Sequence, residues 1–519
     1  MKRPLAVIGF TMLGTLFVFS ELNNYTAMGI AFAATLIAFL VLISVKPLRK
    51  YDTAITSLIT VAVSLCLLFA AGERYRKTVN AYEDKTVNAV GYLCELPYSD
   101  YGKYYYSIRT SEIDGENANI KIRLVSSKPV AVEPTDEINV TARLYRLGKS
   151  ENSYLDYYKS KNLFLGANII SVGNIERHSV TNISPLLLSL RAAISDSIMN
   201  CLDSDRGAVI CAMLIGEKGE LSDKAELAFR NCGISHLFAV SGLHISIWAL
   251  AVYSVIKKLR ASERTAAVLS ICFCFFFMLL TGFNPSVVRA GFMLILLFAE
   301  KLVSEEADAV NSIGLALTVL LLLNPFNAVS VSLWLSLLAT LSLVTVSPLI
   351  TKSFAEKADG FKSSPLRKGL LRFAYIAVAT ASITAFTMPV SVFVFGRISL
   401  MSLPSNLLMV AIGSVCMQLS GIAVLLILTG LSFAGLPLLR FCGILSQFLI
   451  TVAERLSSFG FGLFDVSSTA SKIVVIASIA VFAILFIAKV KDKKIIIPAV
   501  SVCAIAFITA NIFCFILYK

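Results

Sequence analysis

The chain has 519 residues, of which 57% are hydrophobic and only 15% are charged, and its mean hydropathy is +0.78. Soluble globular domains average roughly 45–50% apolar and about 25% charged residues, so an ordinary soluble protein is excluded. Several long stretches carry almost no charge, and about 20 apolar residues in a helix are enough to span a bilayer. The sequence therefore predicts a polytopic α-helical membrane protein.

Charge and histidine content narrow the function classes further. The net charge of +13 is explained by the basic residues that cytoplasmic loops of membrane proteins collect. Histidine occurs only at positions 178, 236 and 244, whereas catalytic zinc and two-metal sites draw on several histidines. Gly148-Lys149-Ser150 resembles the end of a nucleotide-binding loop, but Arg143 stands where that motif needs glycine. We expect no metal, no cofactor, no ATPase and no other enzymatic activity.

Residues 1–72 are predicted to form three spans, near 4–19, 27–45 and 54–71. Lys2 and Arg3 followed by an apolar run resemble a signal peptide, but no small-residue cleavage site follows, so we expect a retained span. The basic loop between the second and third spans marks the cytoplasmic side. The N-terminus is therefore expected in the cytoplasm, and the chain is expected to leave the cytoplasmic membrane on the outside at residue 73.

Residues 73–184 differ in composition, with nearly equal numbers of basic and acidic residues. Polar and apolar residues alternate in stretches such as 121–125 and 138–144, and this pattern is typical of half-buried strands. Glycine and proline separate these stretches at 91, 102, 115, 134 and 148. We predict a small extracellular β-rich domain of about five or six strands.

The remainder is predicted to contain amphipathic interfacial helices at 185–231, still on the outside, and a transmembrane channel domain at 232–519. Basic loops near 257–264, 351–372 and 489–494 all fall in the cytoplasm in this arrangement. The total is about 13 spans, with the C-terminus outside. The ten predicted spans of the channel domain lie near 234–256, 266–283, 286–303, 309–323, 327–348, 374–396, 410–431, 435–453, 472–488 and 495–516.

The densest set of polar groups within an apolar region lies between Gly233 and Ile245. Polar groups inside a membrane are costly and are therefore functional candidates. On one continuous helix, His236 and His244 would lie broadly on one side, and Ser241 would neighbour His244. The Ser241-Gly242 step is also able to break the helix, which membranes tolerate where the backbone is buried in protein or lines a cavity.

Four interpretations of this block remain open at the level of sequence. Ser241 and His244 suit an intramembrane hydrolase pair, although nothing marks an oxyanion donor. Two histidines without a carboxylate are a weak metal site. Serine and histidine also form ordinary interhelical hydrogen bonds. The interpretation that we favour is the lining of a cavity or pore.

Arg289 is the second intramembrane candidate, about one turn inside a predicted span. Its side chain is able to extend to the outer interface, or it faces a polar cavity that attracts phosphate-like anions. The sequence does not decide between these positions. Asn284-Pro285 and Asn324-Pro325 head outer loops, where turn chemistry explains them.

Tyrosine is dense in the outer domain and is interleaved with basic residues. Aromatic side chains with basic neighbours bind single strands by stacking and phosphate contact. Tyrosine is also a favoured strand residue and a membrane-interface anchor, so the pattern has two explanations. The candidate DNA-binding residues are Tyr98, Tyr101, Lys103, Tyr104, Tyr105, Tyr106, Arg109, Arg146, Lys149, Lys159 and Lys161, with further tyrosines at 92, 145, 154, 157 and 158.

The stretch from Gly216-Glu217 to Gly233-Ile234-Ser235-His236-Leu237-Phe238-Ala239-Val240-Ser241-Gly242-Leu243-His244 resembles the signature block of the ComEC family, the DNA-internalisation channel of natural competence. Three further stretches match in order, at 281–290, at 324–336 and at 395–406. The resemblance covers essentially the whole chain. The motif residues that it assigns to the channel are Gly216, Glu217, Gly233, His236, Ser241, Gly242, His244, Asn284, Arg289, Trp334, Arg397 and Asn406.

The resemblance implies passage of single-stranded DNA across the cytoplasmic membrane during natural transformation. It also implies that the outer insert is OB-fold-like, a fold that binds strands over a basic stacking groove. The signature block and Arg289 would then line or shape the channel entrance. Many family members carry a metallo-β-lactamase-like nuclease domain after the channel, but the three histidines of this chain cannot build its metal site.

We therefore expect a channel for single-stranded DNA. The alternatives are a small-molecule or ion transporter using His236, Ser241, His244 and Arg289, and an intramembrane hydrolase using Ser241 and His244. The partners implied by the resemblance are single-stranded DNA, membrane lipid, an extracellular DNA receptor, a cytoplasmic helicase or translocase motor, a separate nuclease and a second copy of the chain.

Overall fold

A computed structural model describes residues 3–22, 25–44, 52–100, 102–148, 152–177, 183–238, 240, 242–303, 308–358, 365–399, 401–458 and 463–465. The chain divides into two compact units. Unit 1 comprises Met1–Leu221, Leu237–Leu333 and Ser414–Ser446. Unit 2 comprises Ser222–His236, Trp334–Gly413 and Gln447–Lys519.

Three helices occupy the positions of the three predicted N-terminal spans: α1 (Pro4–Leu22), α2 (Tyr25–Ser44) and α3 (Asp52–Tyr82). Helix α1 packs against α11 (Ala309–Leu323) at two glycines. A methyl group added to Gly9 would lie 2.2 Å from the carbonyl oxygen of Gly314. Small residues at such a crossing let two membrane helices approach closely, which replaces the hydrophobic driving force that lipid does not provide.

Helix α3 is longer than a membrane span requires. Its 31 residues correspond to about 46 Å at about 1.5 Å per residue, whereas the hydrocarbon core is about 30 Å thick. The additional turns carry Tyr75 and Val79 into the hydrophobic core of the β-domain. The ring of Tyr75 meets that of Phe164 edge to face, with centroids 5.1 Å apart. A single helix thus joins the membrane region to the β-domain.

The β-domain is a small closed barrel. Its strands are β1 (Thr86–Leu93), β2 (Tyr98–Asp100), β3 (Lys103–Ile113), β4 (Glu116–Asn117), β5 (Lys121–Ser126), β6 (Asp136–Arg146) and β7 (Leu163–Arg177). The order β1-β6-β7-β5-β3 closes because β3 also pairs with β1, and β2 and β4 are short additions to β3. Among the described strands, only β5 and β7 pair in parallel. The prediction of a small β-rich domain here is confirmed.

Alternation builds the barrel core as the sequence predicts. In β5, Ile122 and Leu124 are fully buried while Lys121 and Arg123 lie on the opposite face. In β6, Ile138, Val140, Ala142 and Leu144 point inwards in the same way. Helix α4 (Asn152–Ser160) connects β6 to β7. The polar face of each strand therefore lies on the outside of the barrel. The loops at one end of the barrel are also on the outside.

Three shorter helices follow the barrel at the predicted interfacial segment: α5 (Ile183–Met199), α6 (Ser204–Ile215) and α7 (Asp223–Asn231). Helix α7 begins after the cap Ser222, whose hydroxyl oxygen accepts a hydrogen bond from the backbone N–H of Ala225, a typical helix start. Charged and apolar residues are mixed along α7, and the apolar residues Ala228 and Phe229 are buried.

The later helices are mostly apolar. They are α8 (Gly242–Lys258), α9 (Glu263–Leu280), α10 (Pro285–Val303), α12 (Val331–Ala358), α13 (Pro365–Phe395), α14 (Ser402–Ser405), α15 (Ala411–Leu428) and α16 (Ser432–Ser457). A π-helical turn, Asn406–Val410, joins α14 to α15, and strands β8 (Arg397–Ser399) and β9 (Leu463–Asp465) form a small antiparallel pair.

Seven helices of the described residues are long and apolar enough to cross a membrane: Pro4–Leu22, Asp52–Tyr82, Glu263–Leu280, Val331–Pro348, Ala374–Val392, Ser402–Leu428 and Ser432–Ser457. Thr26–Phe39 and Ala309–Leu323 are apolar but shorter. The predicted spans at 472–488 and 495–516 lie outside the described residues. The protein is a membrane protein, while the total of about 13 spans stays a prediction.

One predicted span needs correction. The expected helix at 234–256 begins only at Gly242, and Ser235–Phe238 form a separate 3₁₀ turn. Ser235 and His236 therefore do not continue the helix. Ser241 itself lies outside the described residues.

Candidate functional site

The polar face of the barrel carries a cluster of tyrosines around one arginine. The guanidinium of Arg123 on β5 lies 4.5 Å from the ring centroid of Tyr105 on β3, and 5.7 Å and 5.8 Å from those of Tyr98 and Tyr158. It donates hydrogen bonds to the hydroxyls of Tyr158, at 2.7 Å, and of Tyr98. The rings of Tyr98 and Tyr105 stack, with centroids 5.0 Å apart. We call these four residues the tyrosine cluster.

A charged group borders the tyrosine cluster. The ammonium of Lys121 lies 2.9 Å, and that of Lys161 3.8 Å, from the same carboxylate oxygen of Glu95. Burial would raise the pKa of Glu95, but the two lysines and the hydrogen bonds from Lys121 and Ser107 lower it to about 2. Lys161 also lies over the ring of Tyr157, which is 52% exposed. Glu95 is thus a fixed negative charge that partly balances this basic edge.

The remaining candidates of the outer domain lie in different surroundings. Tyr106 is 2% exposed and its hydroxyl donates to and accepts from the backbone of Val130, so this ring belongs to the core. Tyr104 packs against the same core, while Lys103 and Arg109 are exposed. Arg146 and Lys159 both lie over the ring of Tyr75. Tyr101 and Lys149 fall outside the described residues.

The signature block begins where α6 ends. Gly216 closes α6 with φ +77, and a methyl group there would lie 3.0 Å from the side chain of Val240. A left-handed helix cap of this kind favours glycine. Glu217 follows and pairs with Arg191 at 3.4 Å. Burial raises the pKa of Glu217 to about 7, although Arg191 acts in the opposite direction.

The same loop touches the barrel. A methyl group on Gly219 would lie 3.0 Å from the Cβ atom of Tyr98. The tyrosine cluster therefore lies next to the start of the signature block, within unit 1. A second contact joins the barrel to the membrane helices, since the side-chain amide of Asn324 donates hydrogen bonds to the carbonyls of Lys159 and Ser160.

In unit 2, Gly233 contacts the third matching stretch. Gly233 has φ +71, and a methyl group there would lie 2.7 Å from the Cβ atom of Ser402. The hydroxyl of Ser399 donates a 2.6 Å hydrogen bond to the carbonyl of Asn231. The segments 231–233 and 399–402, far apart in sequence, thus form one tight contact.

The two histidines of the block do not share a helix. His236 is exposed and lies in the 3₁₀ turn of unit 2. His244 is 5% exposed and lies in the first turn of α8 in unit 1. The continuous helix on which both would lie broadly on one side is not formed, because α8 begins after His236.

In unit 1, Gly242 contacts the second matching stretch. A methyl group on Gly242 would lie 2.8 Å from the Cβ atom of Ala290 and 3.9 Å from the Nη2 atom of Arg289. Arg289 is 5% exposed, so it does not extend to a solvated interface. The side chain of Asn284 accepts a hydrogen bond from the backbone N–H of Ser286 and so caps α10.

The other motif residues lie in unit 2 with less distinctive surroundings. Trp334 is half-buried on α12, Asn406 is half-buried in the π-helical turn, and Arg397 is exposed on β8, where it pairs in register with Asp465. Among the described residues no group of three or more His, Cys, Asp or Glu is arranged to hold a metal ion.

Two residues that make contacts described above, Arg123 in the tyrosine cluster and Asn324 against the end of α4, were not among the sequence candidates. Arg123 alternates with the core residues of β5, and this alternation placed it on the polar face beside Lys121. Asn324 was assigned to turn chemistry, which it does provide by accepting from the N–H of Phe326. Its second role, towards α4, depends on a contact 164 residues away in sequence that no local pattern encodes.

The fold and these contacts define a polytopic membrane protein with a small β-barrel docked on its helices. The model of the competence protein family matches residues 213–491, which include both tight contacts of the signature block. The chain therefore belongs to the competence protein family, of the ComEC type.

Three relatives are similar to parts of the chain. The chain is 23% identical to ComE operon protein 3 of Bacillus subtilis over 68% of its own length and 44% of the relative's. It is 28% identical to the uncharacterized protein YcaI of Escherichia coli over 42% and 29%, and 29% identical to an uncharacterized protein of Aquifex aeolicus over 37% and 43%. The chain thus spans less than half the length of these relatives. No solved structure matches it.

Proposed function

We propose that this protein takes part in DNA uptake during natural transformation, as a channel that passes single-stranded DNA across the cytoplasmic membrane. The observation that carries the proposal is the tyrosine cluster on the polar face of the barrel. Bases stack on aromatic rings, and basic side chains contact the phosphates between them. Membership of the competence family supports this assignment.

The connectivity of the barrel supports an OB-fold interpretation. With β1, β3, β5, β6 and β7 taken as five successive strands, the closed order is 1-2-3-5-4-1. OB-folds bind oligonucleotides on strands 2 and 3 and with the loops between strands 1 and 2 and between strands 4 and 5. Tyr105 and Arg123 lie on the corresponding strands, Tyr98 in the first of these loops and Tyr158 in the second.

The position of the tyrosine cluster favours a guide that leads into the membrane region. Tyr98 contacts Gly219 at the start of the signature block, and the loop that carries Tyr158 is held by Asn324. A strand bound on this face would therefore lie next to the family motifs. We propose that the barrel lies outside the cell, that a receptor delivers DNA to it and that a cytoplasmic motor pulls the strand.

The test is binding of a fluorescent oligothymidylate and of a duplex to the full chain in detergent, across a salt series. We expect preferential single-strand binding that weakens with salt, because phosphate contacts release counterions. Tyr157 is exposed, and its ring meets that of Tyr158 of the tyrosine cluster edge to face, with centroids 5.5 Å apart. Tyr157→Ala should therefore weaken binding by about 5–100-fold, the range for loss of one stacked base. Tyr375→Ala on α13, a comparably exposed tyrosine, should not.

A second arm measures transformation frequency in cells that carry the same variants at equal protein levels. Loss of uptake with Tyr157→Ala and not with Tyr375→Ala supports a DNA guide. Absence of single-strand binding at low salt, together with normal transformation after both substitutions, contradicts the proposal and favours the small-solute transporter.

A further inference from the structure

Arg289 on α10 is a buried cation without full pairing. The residue is 5% exposed, and its Nε and Nη1 atoms have no hydrogen-bond partner in the described part of the chain. Removing a guanidinium from water is unfavourable when no partner compensates it. An arginine kept in such a position inside a membrane protein therefore points to a function.

The guanidinium lies at the start of a helix. Its Nη2 atom is 3.9 Å from the position of a methyl group on Gly242, the first residue of α8. The first N–H groups of a helix lack partners within it, and they carry a partial positive charge. An anion beside the guanidinium would therefore also lie close to this helix start, and both groups would attract it.

We propose that Arg289 and the first turn of α8 form a binding site for a phosphate group. Helix N-termini bind phosphate through their N–H groups, and the planar fork of arginine matches two phosphate oxygens. The identity of this phosphate rests on the proposed function: it is a phosphodiester of the transported strand. The site would give the strand a holding point within the signature block, distinct from the barrel.

The absence of a side chain at Gly242 is part of the same arrangement. A methyl group there would lie 2.8 Å from the Cβ atom of Ala290, so glycine lets α8 and α10 approach until Arg289 reaches the helix start. A lysine at 289 would keep the charge but not the bidentate geometry. Arg289→Lys is therefore expected to bind phosphate more weakly than the wild type does.

The first experiment measures thermal unfolding of the full chain in a maltoside detergent free of phospholipid, in inorganic phosphate and in chloride at equal ionic strength. Phosphate stabilises most proteins by exclusion from their surface, so the readout is the difference between variants. We expect phosphate to raise the Tm of the wild type by about 2 °C more than that of Arg289→Met, through binding to the folded state. Arg264→Met, an exposed arginine of α9, should behave like the wild type.

A structural role for Arg289 makes a different prediction in the same data. If the side chain mainly held the helices together, Arg289→Met would lower the Tm in chloride as well. An uncompensated charge gives the opposite sign, since an apolar side chain of similar length removes its desolvation cost. Equal phosphate effects on all three proteins, or a large loss of Tm in chloride with Arg289→Met, overturn the site.

Two further arms identify the source of the phosphate. An oligothymidylate should bind the wild type about 10–100-fold more tightly than Arg289→Met, the range for loss of hydrogen bonds to a charged group. Equal oligonucleotide affinities and equal transformation frequencies overturn the assignment to the strand while the proposed function stands. If only added anionic phospholipid removes the difference between variants, the occupant is a lipid headgroup and the strand assignment is overturned.

The failure of the proposed function itself is recognisable separately. It appears when the wild type neither binds the oligonucleotide nor supports transformation. A phosphate effect that still depends on Arg289 in that case supports the anion site and overturns only the strand as its occupant.

Discussion

The side-chain amide of Asn324 donates a hydrogen bond of 2.8 Å to the carbonyl of Ser160, the last residue of α4. A second bond from the same amide reaches the carbonyl of Lys159. Both carbonyls belong to the end of a helix, where backbone acceptors lack intrahelical partners. One side chain from the membrane helices therefore completes the end of a helix in the barrel.

We expect Asn324→Ala to loosen this contact. The carbonyl of Lys159 keeps its hydrogen bond from the backbone N–H of Asn162, so the main loss is at the carbonyl of Ser160. That loss should cost about 1–3 kcal/mol where this carbonyl stays buried. Hydrogen exchange should become faster in α4. Asn284→Ala is the matched control, because Asn284 caps a different helix, α10; it should accelerate exchange in α10 alone. Unchanged exchange in α4 after Asn324→Ala would contradict this role.

Removal of the cation at the centre of the tyrosine cluster should weaken single-strand binding. Arg123→Met removes the hydrogen bonds to Tyr98 and Tyr158 and the contact with the ring of Tyr105. The rings then lose their fixed orientation, and we expect an affinity decrease of about 5–100-fold. Fluorescence anisotropy with the full chain measures it, and near-ultraviolet circular dichroism reports the tyrosine packing.

The control for this substitution is Arg143→Met, which removes an exposed arginine from β6 of the same barrel. It should reduce binding only through the loss of one positive charge. Equal effects of both substitutions would mean that net charge, and not the tyrosine cluster, determines binding.

Stability should depend on pH through Glu217. Its pKa is about 7 in the folded chain, because of burial, and 4.5 as the ordinary value. The folded state therefore holds this proton more tightly. The stabilisation that the folded state gains from binding this proton is fully present below pH 4.5. It is lost as the pH rises towards about 7. With about 1.4 kcal/mol for each unit of pKa, the loss is about 3 kcal/mol.

Glu217→Gln should remove this component, since its amide does not titrate. The measurement is denaturation of the full chain between pH 5 and pH 8. The free energy of unfolding of the variant should increase relative to that of the wild type as the pH approaches 8. Glu116→Gln, which changes an exposed glutamate of β4, should retain the wild-type profile. A variant that loses stability at pH 8 would instead assign Glu217 a stabilising ion pair with Arg191.

Gly233 should not tolerate alanine. Its φ of +71 and the 2.7 Å approach to Ser402 impose two separate costs, backbone strain of about 1–3 kcal/mol and a steric contact. Adding Ser402→Gly should relieve only the second. Gly14→Ala is the control, because the methyl group added there would meet no atom within 4 Å beyond its chain neighbours and the backbone of its own helix. Thermal unfolding compares the three variants, and equal Tm values would contradict the strain argument.

Local patterns in the sequence predicted much of this fold. Period-two alternation indicated the barrel strands, and charge-poor runs indicated α1 and α2 at nearly the observed positions. For α3 they indicated only the membrane part at 54–71 and not its extension to Tyr82. The start of α8 was missed because an apolar run hides a helix start. The Ser241-Gly242 step was the only signal of the break, and it was given as one option among several.

The candidate site was predictable only in part. Residue types and spacing singled out Gly233, Gly242 and Arg289, but not which segments meet. The contacts of Gly233 with Ser402 and of Gly242 with Arg289 join residues distant in sequence. Tyr106 was a candidate that the structure places in the core. Adjacent tyrosines look alike in sequence, but strand alternation directs this ring into the core.

The unbroken length of α3 makes the barrel sensitive to helical phase. Each residue of an α-helix turns the chain by about 100° and advances it by about 1.5 Å. One residue inserted between the membrane part of α3 and Tyr75 would swing the barrel by nearly a third of a revolution and pull Ser160 away from Asn324. Four inserted residues would bring it back almost into alignment, about 6 Å farther out. The length of α3 thus sets both the distance and the rotation of the surface that carries the tyrosines, relative to the membrane part of the helix.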